Sequence, residues 1–191
     1  MADAGRLTLA AGLVARAIHT AVTCGLDRDS LFAELRVDPA VLQDRDNRLP
    51  VETFARAWQL MSSRLPGRVL ALDWITSWDL TDTGVLGYVL LQLRTVGEAL
   101  DAAIRYAHLV NQGAQAQLWK GSPTSRMGFE LQPDLLAIPQ LLEAMLAGMV
   151  LLLRRSVDGL QAARGALPAS GHRTNAVPRA LLRGPGPARG E

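Results

Sequence analysis

The sequence predicts an α+β fold, predominantly helical, with a small antiparallel β-sheet built on a hairpin near residues 114–131. Three observations carry this. Apolar residues recur at helical spacing through most of the first 155 positions. The period shifts to that of a strand only around one turn signal, "GSPT". Capping residues, glycines and prolines punctuate the helical runs. At 191 residues and 49% apolar, the chain suits one domain with a sizeable core.

Taken in order, Thr8 to Cys24 is a helix candidate: Leu9, Leu13, Ala17 and Ala21 share a face with Val14 and Ile18, and Gly25 is a natural stop. In "DRDSLFAELRV" either Asp27 or Asp29 can cap a short helix burying Leu31, Phe32 and Leu35. "DPAVLQD" reads as one further turn with Pro39 at its first position. "DRDNRLP" reads as a polar loop ending at Pro50. Val51 to Leu65 is helical, with Phe54, Trp58 and Met61 in register, and Pro66 and Gly67 end it. Residues 68–80 admit a helix or a strand, with a short helix leading into irregular chain preferred. "TDTG" offers caps for a helix from Val85 to Leu93.

"TVGE" is the sharpest local signal. Thr95 can accept from the backbone N–H of Glu98 while Glu98 reaches back to the N–H of Thr95, a reciprocal capping box. The helix that follows runs to about Val110, with Val96, Leu100, Ala103, Ile104 and Ala107 as its buried stripe and Arg94, Asp101 and Arg105 toward water. "AQAQLWKG" and "SRMGFELQ" are the two arms of the hairpin. "DLLAIPQLLEAMLAGMVLLLRR" (134–155) has nearly the length of a membrane span. Pro139 and Gln140 interrupt it, and Glu143 would sit in the apolar layer at a cost of about 2.5 kcal/mol or more. A buried helix of a water-soluble domain is therefore preferred, with Pro139 in its first turns or at a kink. A membrane anchor over 135–153 is the alternative.

Domain organisation follows from composition. Residues 1–159 form the folded body, with net charge −2; residues 160–191 carry five Arg against one Glu, with five Gly, four Pro and seven Ala. So little apolar surface predicts a disordered basic tail. The high isoelectric point belongs to that tail, and the body is not a basic nucleic-acid surface. The single Cys24 rules out an internal disulfide, and the N-terminus lacks the pattern of a secretion signal.

Chemistry is sparse. His19, His108 and His172 show no metal-ligand spacing with Cys24 or a carboxylate, so no metal is expected. Asp44 and Asp46 lack the glycine and distal Glu of a calcium loop. No nucleophile elbow, phosphate loop or dinucleotide fingerprint occurs, and no catalytic residue or cofactor is assigned. The aromatic set is more suggestive. Trp58, Trp74, Trp78, Trp119, Tyr88, Tyr106 and Phe129 are either plain core or the lining of an apolar pocket with polar points. Trp74, Trp78, Tyr88, Tyr106, His108 and Trp119 are the candidate ligand-binding residues. Arg94 and Arg105 read as a solvated helix face rather than an anion site.

Two stretches together resemble a known family: "GLDRDSLFAELRVDPAVLQDRDNRLPVETFARAWQLM" and "GVLGYVLLQLRTVGEALDAAIRYAHLV", followed by the hairpin and the long apolar helix. Their order and spacing, over about residues 10–158, are similar to the N-terminal effector-binding domain of AraC-type bacterial transcription regulators, the group labelled with an arabinose-binding-type domain. The resemblance implies a cytoplasmic ligand sensor that binds a small-molecule effector of unknown identity. It also implies a dimer, either a homodimer or a mixed dimer with a full-length regulator. DNA would be reached only through a C-terminal helix-turn-helix domain, of which no pattern is present. The expectation is a sensing and dimerisation module truncated before that domain, with a tail that is native sequence or a frame-shift product, and no enzyme.

Overall fold

The computed structural model describes residues 6–77, 80–93, 95–122 and 124–156. The chain divides into two compact units, Met1–Leu160 and Gln161–Glu191. Every described residue belongs to the first, so the tail read at 160–191 lies outside the described residues.

Strand β1 (Thr8–Ala10) leads directly into helix α1 (Ala11–Thr23), which buries Val14, Ala17, Ile18 and Ala21. Gly25, at φ 103°, turns the chain after it. Helix α2 (Arg28–Leu35) is capped by Asp27, not Asp29: the Asp27 carboxylate accepts from the Ser30 N–H at 2.8 Å. A 3-10 turn, Pro39–Gln43, follows with Pro39 first. The segment expected as a polar loop contains strand β2 (Arg48–Pro50), antiparallel to β1 with Leu9 opposite Leu49. Three-residue strands carry no readable period, and this pair is held largely by one side chain. Arg48 donates to the Thr8 carbonyl at 2.8 Å, to the Thr8 hydroxyl at 3.1 Å and to the Leu109 carbonyl.

Helix α3 (Val51–Arg64) buries Phe54, Trp58 and Met61, the spacing seen in the sequence. Residues 68–80 contain helix α4 (Leu70–Thr76), and a 3-10 turn, Leu80–Thr83, precedes helix α5 (Val85–Leu91). Helix α6 (Val96–Val110) starts at the capping box as read: Glu98 N–H to Thr95 hydroxyl at 3.2 Å, and Thr95 N–H to the Glu98 carboxylate at 3.1 Å. The hairpin pairs β3 (Ala114–Trp119) with β4 (Arg126–Leu131), Ala116 opposite Phe129. The fold is thus mainly helical with two antiparallel sheets of two strands each.

The apolar run 134–155 is not one helix. It breaks at Ala137–Ile138 into α7 (Pro133–Leu136) and α8 (Pro139–Ser156), so Pro139 opens a helix rather than kinking one. Leu135, Ile138, Leu141 and Ala144 are core residues. Among the described residues no helix is long and apolar enough to cross a membrane, which disfavours the anchor over 135–153.

One buried cluster joins α1, α2, α3, α4, α7 and α8 around Trp58, Leu9, Leu31, Met61 and Leu70. A second, much smaller cluster has Leu90 of α5 and Ala99 of α6 at its centre. The stripe expected to be buried on α6 is only half-buried: Val96, Leu100, Ala103, Ile104 and Ala107 all keep partial exposure, while Ala99 and Val110 are buried. Three of the five border a cavity. Asp101 and Arg105 face water as expected, and Arg94 lies outside the described residues.

Candidate functional site

Five elements converge on a cavity of about 240 Å3. Helix α4 supplies Trp74 and Ile75, α5 supplies Leu86 and Leu90, and α6 supplies Ala103, Ile104, Ala107 and Val110. The hairpin adds Ala114, Ala116, Met127 and Phe129, and α8 adds Leu141, Ala144, Met145, Gly148 and Met149. Both long helices present these residues three and four apart, so each wall is one face of a helix. The hairpin does the same with period two, which puts Ala114, Ala116, Met127 and Phe129 on one side of the ribbon. Phe54 and Leu13 reach the cavity from the main core.

The aromatic corner is rigid. The Trp74 ring lies 5.3 Å from that of Trp58 and 5.9 Å from that of Phe54, and Phe54 meets Trp58 edge-on at 6.3 Å. Met127, Met145 and Met149 add side chains that adapt their shape at little cost.

Among the described residues polar groups are few: Thr83, Asn111 and Gln115 border the cavity, and no ionisable side chain does. Thr83 already has an interaction partner. Gln115 alternates to the face of the hairpin opposite Ala114 and Ala116. Asn111, the C-cap of α6, accepts at Oδ1 from the Gly113 N–H at 2.8 Å. That bond fixes the orientation of the amide and leaves Nδ2 as a donor without a partner among the described residues.

The candidate ligand-binding residues are dispersed. Trp74 lines the cavity. Trp78 lies outside the described residues. Tyr88 and Tyr106 stand on helix surfaces, 61% and 39% exposed, away from the cavity wall. Trp119 covers the outer face of the hairpin, where a Cβ on Gly128 would come within 2.9 Å of its ring. His108 borders a second, more polar hollow that shares Ile104, Ala107 and Ala114–Ala116 with the first. Arg6 and Gln112 also border that hollow and are engaged elsewhere, Arg6 with Glu52 at 3.2 Å and Gln112 with the Thr8 N–H at 2.9 Å. The aliphatic wall escaped the sequence reading because Leu, Met and Ala at helical spacing look the same whether they face a core or a cavity.

Two polar clasps hold the walls in place. Asp82, nearly buried just before α5, pairs with Arg16 of α1 (Nε at 2.8 Å) and with Arg45 at 3.2 Å. Gly84 allows this turn: its φ is 63°, and a Cβ there would lie 2.2 Å from the Asp46 carboxylate. At the far end of α6, Arg48 and Gln112 tie Leu109, Asn111 and Gln112 to β1. Among the described residues, no three His, Cys, Asp or Glu lie together as metal ligands would. The Cys24 thiol is half-buried against Asp73, and burial first, then the Asp73 charge, pushes its pKa up.

A concave, mostly apolar cavity with a few polar groups has the form of a small-molecule site, and sequence comparison narrows the choice. The sequence model of one family, described as the arabinose-binding domain of AraC transcription regulators, N-terminal, matches residues 25–179. The chain belongs to that family. The match begins at Gly25, after α1, and takes in every element of the AraC-type domain that lines the cavity except Leu13 of α1. No curated protein sequence matches the chain.

Proposed function

We propose that this AraC-type domain senses a small-molecule effector, which it binds in the cavity between α4, α5, α6, α8 and the hairpin. The observation that carries the reading is that cavity, about 240 Å3 and ringed by five elements, in a chain of a regulator family named for ligand binding. Effector binding would favour one arrangement of the α5–α6 wall over another and so shift a population of conformers. In this reading the domain dimerises, as a homodimer or with a full-length regulator, and the effector acts on the dimer. It works in the cytoplasm, performs no catalysis and reads no DNA base through its described residues.

The test is a panel of small molecules screened by thermal unfolding of the full chain, with hits followed by sedimentation velocity. Saturable stabilisation by a hit, together with a ligand-dependent sedimentation coefficient, supports the reading. A hit that leaves the sedimentation unchanged removes the dimer coupling. No hit from a panel spanning sugars, acids and apolar compounds removes the sensor role itself.

A further inference from the structure

We infer that the effector is not a sugar but an uncharged, largely hydrocarbon molecule of about ten heavy atoms carrying one hydrogen-bond acceptor, of the ketone, ester or lactone class. This rests on the sensor reading and specifies the ligand of the same cavity. Size comes first. A cavity of roughly 150 Å3 accommodates benzene, so 240 Å3 holds a molecule of about ten non-hydrogen atoms at the same density.

Chemistry comes second. A pentose presents four hydroxyls and a ring oxygen, and each needs a partner once it leaves water. The wall cannot supply them. Of the three polar residues among its described lining, Thr83 is engaged and Gln115 alternates to the outer face of the hairpin, which leaves the Asn111 amide. A carboxylate or ammonium fares no better, since among the described residues no side chain of opposite charge borders the cavity. The Asn111 Oδ1 already accepts from the Gly113 N–H while Nδ2 has no partner among the described residues, so the group with unmet hydrogen-bonding need is a donor, Nδ2, and its complement is a single neutral acceptor. The remaining wall, with Trp74, Phe129 and three methionines, matches a hydrocarbon body.

The experiment is a calorimetric titration of the full chain with 2-nonanone, sodium nonanoate and arabinose, repeated on three variants. Ala103→Phe on α6 and Gly148→Leu on α8 fill the cavity from opposite walls; either one suffices if the other fails to fold. Asn111→Leu removes the donor. We expect saturable binding of 2-nonanone and binding of nonanoate at least about tenfold weaker. Arabinose should show no heat of binding. Ala103→Phe and Gly148→Leu should abolish 2-nonanone binding, and Asn111→Leu should weaken it about five- to tenfold. Saturable arabinose binding that Ala103→Phe blocks would overturn the ligand class while leaving the sensor reading intact, and so would nonanoate binding as tight as the ketone. Ketone binding that survives both filling variants would place the site elsewhere. If none of the three compounds binds and the wider panel also yields no hit, the sensor reading falls and this inference with it. If the panel yields only polar hits, this inference alone falls.

Discussion

The two sides of the cavity differ in how firmly they are built. On one side α1, α3, α4 and α8 share a cluster in which Trp58, Leu9, Met61 and Leu70 are wholly buried. On the other, the buried apolar side chains among the described residues of α5 and α6 are Leu90, Ala99 and Val110, while Val85, Tyr88, Tyr106 and Leu109 are more than a third exposed. The first side is a frame. The second is a panel held mainly at its ends, by Asp82 before α5, the capping box at the start of α6, and Arg48 and Gln112 at its finish. A wall with few buried apolar contacts opens at low free energy, and a ligand with differential affinity acts most easily on such a wall. Division of labour between a rigid frame and a lightly packed panel therefore suits a sensor.

The comparison can be broken most violently at Trp58. Trp58→Ala should destabilise the domain by about 3–5 kcal/mol, read by urea denaturation, because the side chain is fully buried against Phe54 and Trp74. Trp58→Phe should be far milder, since Nε1 makes no hydrogen bond. Next comes the hinge of the panel. Asp82→Ala leaves Arg16, whose side chain is only 14% exposed, without its carboxylate, and should lower stability by about 3 kcal/mol. Amide exchange should then speed up in α5 more than in α3. Third, Thr95→Ala removes half of the capping box and should reduce stability by about 1 kcal/mol, with faster exchange in the first turn of α6 and none of that change in α1.

The smallest effect belongs to the surface of the frame. Arg68 donates two bonds of 3.0 Å to Asp73, and these first of all hold the Asp73 pKa below the usual carboxylate range. A carboxylate whose folded pKa is depressed stabilises the protein above its ordinary pKa and loses that contribution as pH falls through the folded value. The melting temperatures of wild type and Asp73→Asn should therefore differ slightly at neutral pH and converge under acid. A gap that is constant with pH would remove the ion pair as its cause.

Much of the fold was legible in the sequence, and the reasons are local. Asp27, Pro39, the Thr95–Glu98 box and the "GSPT" turn each specify a backbone geometry within a few residues of themselves. The β1–β2 pair was not legible because its contacts span about forty residues and its specificity lies in one Arg48 side chain. The cavity was half legible. Seeking aromatic residues found Trp74, but Tyr88 and Trp119 occupy faces that can be assigned only once the partners of α5 and of the hairpin are known. Ile104, Ala107 and Met145 gave the pattern of a buried stripe, and periodicity cannot tell a stripe that meets another helix from one that meets a void.

The placement of α8 bears on how the protein is made. Its residues Leu141 and Ala144 join the same cluster as Leu9 and Val14, and it packs along α4 while forming the cavity's longest wall. During synthesis this helix leaves the ribosome after every other described element. Until it arrives, the nascent chain holds Trp74 and Ile75 without their cover, and domains that wait on a late segment are exposed to aggregation in the interval. Rapid translation through codons 139–156 would shorten that interval, and chaperone engagement of the α1–α6 segment would shield it.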